Sequence, residues 1–123
     1  MIKYEIFPGR KYVVTTFTGN VTLADVLAYR KRLLADKRYR SDYPRLIDLR
    51  ALSTYLNHDD IKKLAAEVMQ SPGKEGERRA FVTDVDVVYG MNRMLETLAQ
   101  DAPEVLRTFR TIEEAEQWLF AED

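Results

Sequence analysis

Alternating apolar and charged residues at the start of the chain predict a β-hairpin. Apolar side chains at positions 2, 4 and 6 alternate with charged ones at 3 and 5, the period of a strand with one solvent-facing side. Pro8 and Gly9 then supply the backbone angles of a tight turn, and residues 12–18 are rich in β-branched and aromatic types. The charges on the first strand suit an exposed sheet edge.

Beyond residue 20 the apolar period becomes helical. Thr22 and Asp25 have the spacing of a capping box. The helix that follows carries Leu23, Val26, Leu27, Leu33 and Leu34 on one face. A second helix begins near residue 57 or 58 and ends at residues 71–73. A third runs from about Asp86 to Gln100, with Val88, Met91, Leu95 and Leu98 facing inward. A fourth follows a capping box of Thr111 and Glu114.

Short apolar segments between these helices predict three more strands, at residues 45–49, 80–83 and 105–109. The element order is therefore ββαβαβαβα. This order predicts a single α/β domain over residues 1–123, with a mostly parallel mixed sheet and the antiparallel N-terminal hairpin at its edge. The pattern leaves open whether the helices cover one face or both. Residues 73–77 are expected to form the most mobile loop.

Composition narrows the classes of protein. The chain has 123 residues, of which 46% are hydrophobic and 32% charged, as in ordinary globular proteins. It has no cysteine, which excludes disulfides, thiolate catalysis and iron–sulfur clusters. No apolar stretch reaches the length of a membrane span or a signal peptide. We therefore expect a soluble, cytoplasmic protein that does not insert into membranes.

The net charge of −1 gives the molecule no general attraction for nucleic acid, but the charge is unevenly distributed. Residues 30–50 contain eight basic and three acidic residues, and the segment from Glu96 onward contains eight acidic and two basic ones. Tyr29 precedes the basic stretch and Tyr39 and Tyr43 lie within it, yet no nucleic-acid motif is present. We expect a solvated helix end there. A docking surface for an acidic partner remains an alternative, including a second copy in a homodimer.

Few residues are candidates for chemistry. His58 is the only histidine, so no two-histidine metal site can form. Beside Asp59 and Asp60 it could ligate a metal or act as a base, but at a helix start in a polar segment we expect it to be a solvated residue of the capping region. Asp84 and Asp86 follow a buried strand, where an aspartyl-phosphate hydrolase keeps its carboxylates. Asp86 is equally explained as the N-cap of the third helix. We predict no metal and no cofactor.

The third helix offers a possible binding pair. Tyr89 and Arg93 are four residues apart and so share a helical face, where Arg93 could bind a carboxylate or phosphate. The alternative is an exposed arginine whose stem covers apolar surface. Gly90 between them is explained either by close packing of the helix on the sheet or by room for a ligand.

With its elements in the order ββαβαβαβα, the whole chain resembles the SpoIIAA-like group related to the STAS domains. The fold of that group also resembles the lipid-carrying CRAL-TRIO domains. The resemblance rests on Gly19 with Thr22, on Leu46-Ile47-Asp48-Leu49, on Tyr89-Gly90-Met91-Asn92-Arg93-Met94 and on Ala115-Glu116-Gln117-Trp118-Leu119. It implies an α/β fold and a non-catalytic regulatory or protein-interaction role.

The sequence departs from the phosphorylated switch of STAS proteins, which has an aspartate-serine-glycine type motif between the third strand and the second helix. Here Ser53 and Thr54 are not followed by glycine, and Asp59 and Asp60 would repel a phosphoserine. No phosphorylation site is therefore carried over.

We rank three hypotheses for the function of the protein. The first is a non-catalytic regulatory or protein-interaction module with an unidentified protein partner. The second is a carrier of a small apolar or lipid-like ligand, bound at the rim beyond the carboxyl ends of the strands. That rim comprises residues 49–58, 84–89 and 110–111, with His58, Asp84, Asp86, Tyr89 and Arg93 as its candidate binding residues. The third is a hydrolase that uses Asp84 and Asp86.

Overall fold

The computed structural model of the protein describes residues 1–70 and 75–122. Its strands are β1 (Ile2–Phe7), β2 (Tyr12–Gly19), β3 (Arg45–Leu52), β4 (Arg78–Val82) and β5 (Val105–Phe109). Its helices are α1 (Leu23–Ala35), α2 (His58–Met69), α3 (Asp86–Leu98) and α4 (Ile112–Leu119). The predicted order ββαβαβαβα is confirmed. No helix in this described part of the chain is long and apolar enough to cross a membrane.

The five strands form one mixed sheet in the order β1-β2-β3-β4-β5. β1 pairs with β2 antiparallel at the edge, and every other pair is parallel, as predicted. Each crossover advances by one strand in the same direction. Since such connections are almost always right-handed, α1, α2 and α3 lie on the same face of the sheet. The last helix, α4, packs on the opposite face against β3, β4 and β5.

Two apolar clusters result from this layering, because successive side chains of a strand point to opposite faces. On β3, Ile47 and Leu49 face the three helices, while Leu46 faces α4. The larger cluster unites the sheet with α1, α2 and α3. The smaller one packs Ala115 and Leu119 of α4 against the other side.

A β-bulge shapes the end of β3. The parallel pairing with β2 shifts between Thr16, opposite Asp48, and Thr18, opposite Ala51, so β3 has one residue more than β2 in this interval. The extra residue resets the alternation, and Leu52 borders the same space as Leu49 although three positions separate them. Asp48 stabilises the bulge by accepting hydrogen bonds from the Arg50 backbone N–H at 3.0 Å and from its guanidinium.

The predicted capping box of Thr22 and Asp25 is confirmed, and Asn57 with Asp60 forms another at the start of α2. The box predicted at Thr111 is only half formed. Thr111 accepts from the Glu114 N–H at 3.2 Å, but the Glu114 carboxylate binds the Thr111 hydroxyl and not its backbone N–H.

Asp86 is not the N-cap of α3, contrary to prediction. Val85 occupies that position without a side-chain hydrogen bond, and Asp86 is the first helical residue. The Asp86 carboxylate turns away from the helix and pairs with Arg110 at 2.9 Å.

Other local predictions were wrong. Leu34 and Leu98, predicted to face inward, are exposed because they lie at the edge of the apolar face of their helices. Helix α3 ends at Leu98 rather than at Gln100. Gly90 is exposed, and a Cβ there would meet no atom within 4 Å, so close packing does not explain it.

The predicted second-helix end at 71–73 and the first two residues of the predicted loop 73–77 lie outside the described residues. β4 begins at Arg78, two residues earlier than predicted, and ends at Val82.

Candidate functional site

The strand order lacks the feature on which the rim prediction was based. Ligands bind beyond the strand ends of an open α/β sheet where the strand order reverses and neighbouring connections run to opposite faces. Here the order is sequential and never reverses. The sheet therefore has no topological switch point.

Three of the five predicted binding residues, Asp86, Tyr89 and Arg93, lie in a network on the surface. The Arg110 guanidinium lies 4.1 Å from the centre of the Tyr89 ring and binds the Asp86 carboxylate at 2.9 Å. A hydrogen bond with Tyr89, together with Glu96 at 3.7 Å, raises the pKa of Arg93. Arg93 is thus an exposed residue with partners on its own helix.

The remaining candidates, His58 and Asp84, are exposed and do not join this network. Asp84 lies close enough to Arg50 to affect the pKa of that guanidinium, and His58 sits in the first turn of α2. The structure brings together Asp86, Tyr89 and Arg93 but not the full predicted set. Within residues 1–70 and 75–122, no three histidine or acidic side chains are grouped so that they could hold a metal ion.

A different site lies between the sheet and the three helices on its larger face. It is a half-enclosed cavity of about 80 Å³. From the sheet its wall takes Phe17, Ile47, Leu49, Leu52, Phe81 and Leu106. From the helices it takes Val26, Ile61, Leu64, Val68, Val88 and Met91, together with neighbouring residues. The wall is therefore almost entirely apolar.

The position of α2 explains the space. This helix lies between α1 and α3, contacts both, and covers the cavity on the side away from the sheet. Its apolar residues Ile61, Leu64 and Val68 point down toward the central strand β3. The cavity is the space left between that cover and β3.

One end of the cavity lies at the segment that joins β3 to α2. Thr54, Tyr55 and Leu56 line it there, and Tyr55 is 54% exposed, which places the mouth at this segment. The Thr54 hydroxyl accepts a hydrogen bond from the Val21 N–H at 3.2 Å, which ties the segment to the start of α1. This end overlaps residues 49–58 of the predicted rim.

The opposite end is charged. Arg45, the first residue of β3, borders the cavity with Tyr29 and Arg30 of α1, yet it is only 6% exposed. Its Nε has no hydrogen-bond partner among the residues that the structure describes. Burial acts to lower the pKa of Arg45, but Tyr29, Tyr39 and Glu104 around it act the other way, and the pKa is raised.

A buried ion-pair network lies beside this end. Arg79 stands opposite Arg45 in the sheet and is 1% exposed. It pairs with Glu104 at 2.8 Å and with Glu77 at 3.0 Å, and it donates to the carbonyl oxygens of Tyr43 and Ser41. Unlike Arg45, Arg79 uses all three of its nitrogens in hydrogen bonds.

The expectation that the basic stretch 30–50 is a solvated helix end was wrong for Arg45, and Tyr29 just before the stretch is also buried. The Tyr29 hydroxyl shares a hydrogen bond of 2.6 Å with Thr15. For Arg45 the available signal was its position at the start of a predicted strand between two apolar residues, because such an arginine seldom has solvent to face. Sequence reasoning also missed Arg79, which follows another arginine and precedes the predicted strand 80–83, so it carried no such signal.

These features define a layered α/β protein with a half-enclosed apolar cavity whose inner end is cationic. The fold is SpoIIAA-like. The chain is similar in structure to an uncharacterised protein of the DUF3478 family from Shewanella loihica PV-4, whose crystal structure at 2.25 Å has a SpoIIAA-like fold. The TM-score is 0.61 at 19% identity, over 96% of this chain and 93% of the other. No protein-family model and no curated protein sequence matches the chain.

Proposed function

We propose that the protein is a non-catalytic binding module of SpoIIAA-like fold, and that it holds a small apolar ligand in the cavity beneath α2. The observation that carries this proposal is the cavity itself, with apolar walls from both the sheet and three helices. Protein interiors are normally packed to crystal density, and voids larger than a water molecule are few.

The size of the cavity limits the ligand. A volume of about 80 Å³ is several times what one water molecule needs, and about half that of an engineered apolar cavity of about 150 Å³ that binds benzene. Apolar walls offer a water molecule few hydrogen-bond partners. A short hydrocarbon chain or a small ring, with the rest of the ligand extending through the mouth at Tyr55, fits these limits.

Two methionines allow the site to be tested by NMR. Met91 lines the cavity, whereas Met69 on α2 is 45% exposed and does not. With ¹³C-labelled methionine methyl groups and octanol as the neutral probe, we expect the Met91 resonance to shift saturably and the Met69 resonance to stay in place. Equal shifts of both, or none, would contradict the proposal.

A matched pair of variants on α3 tests the location. Val88 is buried and lines the cavity, while its neighbour Val87 is 42% exposed. Val88→Phe should fill the cavity and abolish octanol binding, and Val87→Phe should bind octanol like the wild type. Since phenylalanine can overpack a core at a cost of about 1–3 kcal/mol, the fold of each variant is checked by thermal unfolding.

We also propose that Asp84, Asp86 and His58 have no catalytic role. Asp84 and His58 are exposed and lie apart from the cavity, and Asp86 pairs with Arg110. Any hydrolytic activity found in the purified protein should therefore survive in Asp84→Asn and His58→Ala. A loss of more than about tenfold in either variant would restore the hydrolase hypothesis.

A further inference from the structure

Arg45 places a buried cation at the end of the apolar cavity opposite Tyr55. Its side chain borders the cavity, it is 6% exposed, and its Nε finds no acceptor in the part of the chain that the structure describes. A buried donor without an acceptor is costly, more so when it belongs to a charged group. Arg79, its neighbour across the sheet, has carboxylates and carbonyl oxygens as acceptors.

The buried carboxylates beside Arg45 are already bound by its neighbour. Arg45 and Arg79 are both buried, and Glu77 and Glu104 both pair with Arg79. Glu104 also lies close enough to Arg45 to act on its pKa, but Arg45 forms no ion pair with a carboxylate in the part of the chain that the structure describes. A carboxylate bound in the cavity would therefore give Arg45 the kind of partner that Arg79 already has.

We infer that the ligand of this cavity carries a single carboxylate, which accepts hydrogen bonds from the Arg45 guanidinium while its hydrocarbon lies along Ile47 and Leu49 toward the mouth. This inference rests on the proposed binding function and assigns the ligand a chemical class, a small amphipathic monocarboxylate. Arginine suits that group because its planar fork matches a carboxylate.

A monoanion fits better than a dianion or a cation. Glu104 lies close to Arg45 and has one buried oxygen without a hydrogen-bond partner among the described residues, so it would repel a second negative charge. A cationic head group would be repelled by Arg45, which borders the cavity. A phosphate monoester at neutral pH carries most of two negative charges and should bind less well than a carboxylate.

Three probes of equal chain length separate the head-group effect from the pocket itself. Octanoate, octanol and octyl phosphate are titrated separately, with the Met91 methyl resonance as the readout. We expect octanoate to bind roughly ten- to a hundredfold more tightly than octanol, as charge-assisted hydrogen bonds in a buried site allow. Octyl phosphate should be weaker than octanoate.

Variants of Arg45 and Arg93 test whether Arg45 binds the carboxylate. Arg45→Met keeps a long apolar side chain but removes the charge, and it should reduce octanoate affinity to that of octanol. Arg93→Met removes an exposed arginine outside the cavity and should leave both affinities unchanged. If Arg45→Met fails to fold, the carboxyl resonance of [1-¹³C]octanoate bound to the wild type is followed with pH. The bound carboxyl should stay ionised to a lower pH than free octanoate does.

The outcomes separate the two proposals. Equal affinity for octanoate and octanol in the wild type would overturn the carboxylate assignment while leaving the apolar site intact. Absence of binding by any of the three probes would overturn the proposed function as well. Tighter binding of octyl phosphate than of octanoate, or an equal loss of octanoate affinity in Arg93→Met, would also overturn the assignment.

Discussion

Arg79 is the centre of the buried ion-pair network at the amino ends of β3, β4 and β5. Its guanidinium joins β4 to Glu104 just before β5 and to the loop carbonyls of Ser41 and Tyr43 just before β3. Because it is almost fully buried, these bonds lie in a medium of low dielectric constant, where each charged group depends on its partner. Arg79 therefore fixes the amino ends of the strands relative to each other.

Arg79→Met should strongly destabilise the protein. The substitution leaves the buried carboxylates of Glu77 and Glu104 without their cation, and breaking a buried pair in this way typically costs about 3–5 kcal/mol. The free energy of unfolding is measured by urea titration. Arg93→Met serves as the exposed control and should change it by less than about 0.5 kcal/mol. A cost for Arg79→Met below about 1 kcal/mol would contradict the role given to the network.

Buried arginines such as Arg79 are hard to find from the sequence, because arginine occurs both in buried networks and on the solvent-exposed surface. Arg93 was singled out as a binding residue on helical spacing, yet it lies exposed beside Glu96. Arg45 was counted with a solvated basic stretch, yet it is buried at the cavity. The difference depends on which strands pair with which, and in what register, and the local pattern does not contain that information.

At the scale of elements, α2 matters most for the cavity. It is held at its start by the reciprocal bonds of Asn57 and Asp60, where the Asp60 N–H donates to the Asn57 side chain at 2.8 Å. It contacts α1 and α3, and its residues Ile61, Leu64 and Val68 line the cavity. Its stability therefore decides how well the cavity is covered.

Asn57→Ala should loosen α2. Loss of an N-cap side chain costs about 1 kcal/mol, and we expect faster amide hydrogen exchange in α2 together with a similar loss in unfolding free energy. His58→Ala is the adjacent control, since His58 is exposed in the first turn and makes no capping bond. Equal exchange rates in the two variants would show that the cap does not hold the helix.

The elements themselves were largely predictable, and the reason is periodicity. Strand and helix periods separate clearly in this chain, so the order and type of all nine predicted elements were confirmed. Boundaries failed where charge interrupted the pattern, as at Arg78 and Arg79 of β4. The bulge in β3 was not visible in the sequence, because it is a property of pairing between two strands.

At the scale of the whole molecule, the sequential strand order determines which face of the sheet each helix covers. It places three crossover helices on one face and leaves α4 alone on the other. The cavity lies between this face of the sheet and the three helices that cover it. The sequence predicts the apolar residues but not the gap, because Met91, Leu64 and Val68 could equally have filled it.

Acid should destabilise the whole molecule through its aspartates. Hydrogen bonds from Arg38 and Tyr4 hold the pKa of Asp36 well below its usual range. Burial acts to raise the pKa of Asp48, but the hydrogen bonds from Arg50 outweigh it and lower that pKa too. A lowered folded-state pKa gives stability that is complete above the ordinary aspartate value of about 4 and is lost as the pH falls below it.

The contribution of Asp36 and Asp48 to the unfolding free energy should therefore be constant above about pH 5. It should fall as the pH drops below about 4. Asp36→Asn and Asp48→Asn should each lower the unfolding free energy at neutral pH and make the decline in acid shallower. This is measured by urea unfolding between pH 2.5 and 7. An acid decline of unchanged slope in both variants would mean that other groups control it.

The central claim is that the space beneath α2 is a ligand site, and isotope-filtered NOE spectroscopy tests it most directly. With ¹³C-labelled protein and unlabelled octanoate, contacts between ligand and protein protons report the bound position. The account predicts NOEs from the ligand chain to the methyl groups of Leu49, Val88 and Met91, all of which line the cavity. NOEs confined to exposed methyl groups such as those of Val87 and Leu98 would contradict it.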